Sequence, residues 1–425
     1  MNSRTAELDF TDPDLASQTE EDLSKIKLGL GEIAMASAEQ DSIPPVTKPG
    51  EDTGVEREPG IEYINFDDME AEYRKDRDLE TERRKCRRLK FTRNGHEITH
   101  LTGYNTTKPI LDRQYDSVSG KPYFILGVRM EERADWKNSM IVSFRADSAF
   151  STEWNHVEGE DIGFPEIMGQ DPSATELDEG LFLSVVETEE VEDDSDAGSH
   201  TNWWPRFYKG PDIRHLTRGG RGPLGMKNVT PVQLPTAQIT VFTRPRNPDD
   251  EDLGGLGQVG QITLDSIEEI EIENILDVNN APLINTRCRP GEAWWAIKCG
   301  VALTHGRIGV IGHGGRFDTE DPAYVEGIED NPLIYWTFSG IYDHKTGRIG
   351  KMKIEAMADE FVGVMPKSPR HKRVVYTTAI TEPDESGKVM MMQGVGDAET
   401  WSKVIDDPFA GLRLSLPEQR LPLAA

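Results

Sequence analysis

The stretch GHEITHLTGYN, residues 95–105, contains H-E-x-x-H. On a helix that spacing puts two imidazoles and a carboxylate on one face, as a zinc protease requires. Here the motif follows the turn dipeptide Asn94-Gly95 and is rich in β-branched residues, which predicts a strand. On a strand His96, Ile98 and His100 face the same way, but at about 3.3 Å per residue the two imidazoles start about 13 Å apart. One zinc, with ligands about 2 Å away, cannot bridge that distance. The extended motif also wants a third histidine where this chain has Thr106. A second motif, G-x-G-x-x-G at Gly255, Gly257 and Gly260, needs a following helix to receive a pyrophosphate, but it runs into the β-prone QITL. It reads as a loop between two strands. Neither G-x-x-x-x-G-K-[ST] nor G-x-S-x-G occurs, and neither a metal nor an organic cofactor is expected.

The elements that must position any site follow from composition and pattern. With 425 residues and 36% hydrophobic content the chain can bury one large domain or two ordinary ones. Acidic residues outnumber basic ones 76 to 47, and the resulting charge of -29 repels phosphate backbones and anionic bilayers. Neither nucleic acid nor a membrane is an expected partner. No basic n-region with an apolar run opens the chain, and no segment approaches a membrane span. Cys86, Cys288 and Cys299, without C-x-x-C spacing, fit reduced thiols, so a cytoplasmic location is expected and the sequons at Asn105 and Asn228 would stay unmodified.

Residues 1–60 are polar and acidic, which predicts a largely disordered N-terminal extension; a docking helix near Ile26–Met35 is the alternative. Residues 61–87 are dense in charges of both signs and in helix formers, which predicts a solvated helical lead-in. Beyond them the texture changes to short apolar runs broken by Gly, Pro, Asn and Asp. PYFILGVRM, SMIVSFR, GLFLSVVET, QITVFTRP, GQITL, WWAIKCGVAL, RIGVIGHGG, LIYWTFSGIYD, RVVYTTAIT and KVMMMQGVG all read as strands. So many strands predict an all-β domain over residues 88–425, and a propeller holds them without long open edges. VETEEVEDDSDAGSH reads as an acidic loop insertion.

An ordered series of stretches resembles one family. GYN at Gly103, GVRMEER at Gly127, QDP at Gln170, GPLGMKNV at Gly222, VFTRPR at Val241, GRIGVIGHGG at Gly306 and GVGDAETW at Gly394 occur in the order of domain of unknown function 1861. That family is similar to glycoside hydrolase family 130, the mannoside phosphorylases and β-mannosidases. The resemblance covers about residues 88–410 and implies a five-bladed β-propeller.

It also implies site residues. Asp171 falls at the general-acid position, where an inverting enzyme protonates the leaving oxygen while water or phosphate attacks the opposite face. Asp397 falls where sugar hydroxyls are held and joins Asp171 as the second expected catalytic carboxylate, with His313 also at a sugar-holding position. Asn105, Arg129, Lys227 and Arg244 match positions that grip phosphate, which Arg takes as a bidentate fork and Lys as a point charge. Asn228 stands where relatives carry Asp, and it cannot be an anionic base. Lys298 and Cys299 replace an Asn-Glu pair, and Arg370 and Arg373 replace acids, which removes carboxylates from the expected mouth and adds positive charge.

Three functions follow as alternatives. The first is a diverged glycoside hydrolase or phosphorylase that acts on a glycoside or small metabolite by acid catalysis in an axial pocket. The second is a propeller recruited to cyclisation, isomerisation or elimination in secondary metabolism. The third is a non-catalytic binding scaffold. The expected ligand is a sugar or an anionic metabolite, and the oligomeric state is left open.

Overall fold

A computed structural model describes residues 60–75, 77–115, 122–132, 135–156, 167–192, 199–245, 257–289, 291–325 and 331–414. The expectation for residues 1–60 falls, but for Gly60, outside them. The described chain is mostly β, with its sheets in a propeller-like arrangement.

Four sheets are meanders of neighbouring strands. One runs through Gln170–Leu177, Gly180–Glu192, Ser199–Gly210 and Thr217–Arg221, and the next through Thr230–Gln233, Ile239–Thr243 and Gly260–Leu264. Another holds Trp294–Ala302, Ile308–Phe317, Leu333–Asp343 and Arg348–Met357. The last holds Val375–Ile380, Lys388–Val395 and Glu399–Asp406, with Cys86–Arg88 from the start of the fold added antiparallel at its outer edge. That strand ties the two ends of the fold together. The remaining large sheet is broader, with eight strands around the hairpin Pro122–Glu132 and Asp135–Ala146.

The first strands of the sheets touch in a closed ring: Leu101–Thr106 against Gln170–Leu177, then Thr230–Gln233, Trp294–Ala302, Val375–Ile380 and back to Leu101–Thr106. The core lies in wedges between neighbouring sheets. Leu181, Leu183 and Val185 pack with Ile125 and Ile141 of the broad sheet, whereas Phe182 on the opposite face packs with Ile239 and Val241. Met390 and Met392 join Leu126, Phe144 and Trp154, whereas Met391 joins Ile311 and Phe409. Covering both faces explains why these strands read as unbroken apolar runs.

Three expectations need correction. The lead-in forms two helices, Phe66–Lys75 and Leu79–Lys85, and the first is not merely solvated. Phe66 stacks on Trp336 with centroids 5.0 Å apart, and a Cβ on Gly314 would lie 2.1 Å from its ring, so only glycine admits it. Lys403, fully buried, meets Glu82 at 2.8 Å and Glu360 at 2.7 Å, fastening the second helix. The acidic insertion is in its first half strand, not loop: Glu187–Glu192 continue the long hairpin and pair with Ser199–Trp204. Finally, the H-E-x-x-H strand covers only His96–Glu97, paired with Thr92–Arg93, and ends before His100. The two histidines share no helical face.

Candidate functional site

Where the first strands converge, backbone irregularities recur. The strand pairing shifts register between Tyr104 and Thr106, between Gln170 and Ser173, between Ile297 and Cys299, and between Thr377 and Ala379. Such bulges re-aim a side chain that a regular strand would bury between sheets. Asn105, Asp171, Asn228 and Asp397 have φ of 58°, 49°, 55° and 56°. Asn and Asp tolerate this left-handed region better than other non-glycine residues, which accounts for the residue types found there.

These irregularities surround a cavity of about 370 Å³. Asn105, Arg129, Asp171, Lys227, Asn228, Arg244, His313 and Asp397, the residues singled out from the sequence, all line it. Lys298 joins them, whereas Cys299 does not, as alternation about the bulge dictates; its sulfur lies 3.8 Å from the Thr378 carbonyl. Arg370 and Arg373 are not in the lining, a correction to the expected mouth: Arg373 is turned to the buried Asp318, and residues 369–371 form a 3-10 turn. The same segment instead brings Lys367 and His371 to the cavity. Gln170, Tyr335, Tyr376 and Thr377 also line it without having been anticipated. Gly257 has a structural role: a Cβ there would come within 2.5 Å of Arg244 Nε, so its absence leaves room for that guanidinium.

Asp171 is the hub. Its Oδ1 accepts from Asn105 Nδ2 at 2.7 Å and from Arg129 Nη1 at 3.0 Å, and Lys227 Nζ stands 3.7 Å from Oδ2. Lys298 Nζ donates to its main-chain carbonyl at 3.2 Å. Burial opposes ionisation of this carboxyl, but Lys227, Arg129 and Lys298, with the Asn105 hydrogen bond, hold it well below the usual carboxylate range. Behind it, the wholly buried Glu131 binds Arg129 Nη2 at 2.8 Å, Lys367 Nζ at 2.6 Å and the Tyr104 hydroxyl at 2.6 Å. Arg129 lies over the Tyr104 ring, 4.7 Å from its centroid. Asp397 accepts from the Tyr376 hydroxyl at 3.0 Å.

The opposite wall is aromatic. His313 stacks on Tyr335 with centroids 5.8 Å apart and planes 9° from parallel. Burial, with Arg244 and Lys298 adding to it, pushes its imidazole down to about 3, so it is neutral at pH 7. On the lining, the buried atoms Asn105 Oδ1, His313 Nδ1 and Thr377 Oγ1 have no hydrogen-bond partner among the described residues. Such atoms are costly to leave unpaired, and a ligand's hydroxyls would satisfy them. Five basic side chains, Arg129, Lys227, Arg244, Lys298 and Lys367, thus face two carboxylates, Asp171 and Asp397, inside a protein that is acidic as a whole. Among the described residues no cluster of His, Cys, Asp and Glu could hold a metal ion.

No curated protein matches the chain. Among solved structures it is similar to a mannose phosphorylase from Leishmania mexicana in complex with phosphate ion, at 21% identity and a TM-score of 0.63, covering 81% of this chain and 93% of that one. It is equally similar to a GDP-Man-dependent mannosyltransferase from Leishmania mexicana, at 21% identity and a TM-score of 0.63 over 82% of this chain and 97% of that one. A hypothetical protein from Leishmania major follows at 22% identity and a TM-score of 0.58 over 81% and 96%. At such identities the likeness concerns the fold. A family model matches residues 97–411, and the chain belongs to that family, described as protein of unknown function (DUF1861).

Proposed function

We propose that this chain is a five-bladed propeller enzyme, formed by residues 88–425 with 61–87 as its helical lead-in, that breaks or forms a glycosidic bond by acid catalysis with an anion bound in the axial cavity. The observation that carries this reading is the gathering of five basic side chains around Asp171 and Asp397. Neutral sugars need acceptors for their hydroxyls, whereas a cationic, partly desolvated pocket is best matched by an acceptor-rich anion. Phosphorolysis or transfer to an anionic acceptor therefore fits better than hydrolysis. The phosphate-bound mannose phosphorylase among the structural relatives supports the same reading.

In this mechanism Arg129, Lys227 and Arg244 hold the anion, with Lys298 and Lys367 adding to the field. Asn105, His313 and Thr377 take sugar hydroxyls through their unpartnered atoms, and Asn228 and Asp397 fix the ring. An oxygen of the anion attacks the anomeric carbon while Asp171 gives its proton to the departing oxygen. Asp171 is ionised when only cations face it, so it takes that proton from the protonated anion, dihydrogen phosphate in phosphorolysis, as the anion arrives and draws Arg129 and Lys227 to itself. The same ionised state favours a second reading, a non-hydrolytic conversion of an anionic metabolite in which Asp171 accepts a proton. The three free thiols and the absence of a helix among the described residues that could cross a membrane agree with work in the cytoplasm.

Titrated melting curves test the proposal, since stabilisation grows with ligand concentration over Kd. Phosphate and a hexose 1-phosphate are expected to raise Tm more than mannose, and a neutral β-mannobiose is expected to turn over poorly without phosphate. Efficient hydrolysis of mannobiose, with no effect of phosphate on Tm, would restore an ordinary glycosidase.

A further inference from the structure

Lys298 stands at the bulge between Ile297 and Cys299 on the strand Trp294–Ala302, where a regular strand would have turned it between sheets. It is 3% exposed and forms part of the cavity wall with Lys227 and Arg244. Lys227 has a carboxylate partner in Asp171, but no ion pair among the described residues includes Lys298. Its Nζ instead donates to the Asp171 carbonyl at 3.2 Å, a contact that orients an amine without neutralising it. Burial lowers the pKa of this amine; Asp171 and Cys299 oppose that in part, and Lys227 and Arg244 add to the lowering. A desolvated lysine beside other cations is the arrangement in which an amine becomes a nucleophile.

We propose that Lys298 is a nucleophilic amine that condenses with an aldehyde or ketone whose anionic arm lies against Lys227 and Arg244. The Nζ lone pair adds to the carbonyl carbon, and one amine proton moves to the oxygen to give a carbinolamine. That hydroxyl leaves with the second amine proton as water, and a carbon–nitrogen double bond remains. The site shares the cavity with the glycosidic reading but not its chemistry, so neither depends on turnover by the other.

The whole protein is treated at pH 7 with pyridoxal 5'-phosphate, used only as an aldehyde carrying a phosphate, and the imine is trapped with cyanoborohydride. Modified lysines are mapped by peptide mass spectrometry. Lys298 is expected to be modified ahead of the exposed Lys90 and Lys351. Each pH unit by which its pKa is lowered gives about a tenfold larger neutral fraction at that pH. Excess inorganic phosphate is expected to suppress the adduct, and Lys298→Arg to abolish it while the Lys90 and Lys351 adducts and a cooperative melt persist. An unmodified Lys298 peptide in wild-type protein whose Lys90 and Lys351 are labelled overturns the proposal. Labelling at Lys298 that phosphate leaves unchanged overturns the part given to Lys227 and Arg244. Phosphate-suppressible labelling at Lys298 in a protein that neither breaks nor forms a glycosidic bond would count against the proposed function alone.

Discussion

Arg129 joins Glu131 to Asp171 through one guanidinium: its Nη2 lies 2.8 Å from Glu131 Oε2 and its Nη1 donates to Asp171 Oδ1 at 3.0 Å. Glu131 has no exposed surface, so the cavity carboxylate is positioned by a cation that is itself fixed from inside the fold. Rigid support of this kind holds a polar site to within the tolerance chemistry needs.

Glu131→Gln removes the counter-ion shared by Arg129 and Lys367. Breaking a buried pair on one side costs about 3–5 kcal/mol, and a loss of that order is expected in urea denaturation at pH 7. Burial opposes ionisation of Glu131, but Arg129 and Lys367 hold its pKa below the ordinary value. Its contribution is therefore complete above the unfolded pKa of about 4.3 and is lost as pH falls through the lower folded value. The gap between wild type and variant should be full at pH 7 and close only in acid below that range. A gap already closed at pH 6 would show that Glu131 does not carry the charge.

Asp171→Asn separates catalysis from binding. The carboxylate competes with any bound anion for Arg129 and Lys227, so its loss should tighten phosphate binding in calorimetric titration. If Asp171 gives the proton to the leaving oxygen, turnover should fall by about 100-fold or more in the same variant. Weaker phosphate binding with turnover intact would leave Asp171 as a brace for the cations.

The strands whose two faces are buried were readable because both faces are apolar. Leu181–Val186 alternates between one wedge and the next, and every predicted run from PYFILGVRM to KVMMMQGVG corresponds to a strand. The first strands Leu101–Thr106, Gln170–Leu177 and Thr230–Gln233 gave no such signal: the first two carry Asn105, Gln170 and Asp171 toward the cavity and are broken by bulges, and the third is only four residues long and contains Pro231. The residues that line the cavity are the ones that spoil the pattern. Asp and Asn at left-handed φ were recognisable only through their neighbours in the family-like stretches. Nothing in LIYWTFSGIYD marks Tyr335 as a cavity residue, and the 3-10 turn after Ser368, signalled by Pro369, is what exchanges Arg370 and Arg373 for Lys367 and His371.

His313 should leave a distinct acid signature. Its folded value of about 3 lies below the ordinary imidazole pKa of about 6.5, so between the two the unfolded chain binds a proton that the folded chain refuses. The stability associated with a neutral His313 is full above about 6.5 and erodes as pH falls toward 3. His313→Gln should therefore lose less stability than wild type between pH 6.5 and 4. A His313 resonance titrating near 6.5 in NMR would contradict the buried, neutral state.

Gly257→Ala tests whether Arg244 belongs to the anion site. The added Cβ would lie 2.5 Å from Arg244 Nε and 3.1 Å from Cζ, so the guanidinium must move. The obstructing atoms belong to a flexible side chain and Gly257 does not sit at positive φ, so the backbone can keep its course. The stability of the ligand-free protein should change by no more than about 1 kcal/mol, as for a substitution that leaves the core intact. Phosphate affinity should nevertheless fall by about tenfold, because a displaced fork loses the bidentate geometry that makes arginine a strong phosphate ligand. Arg244→Lys should weaken binding to a similar degree, and combining it with Gly257→Ala should add little, since both act on one guanidinium. Full additivity of the two would mean that Gly257 acts on the cavity by another route.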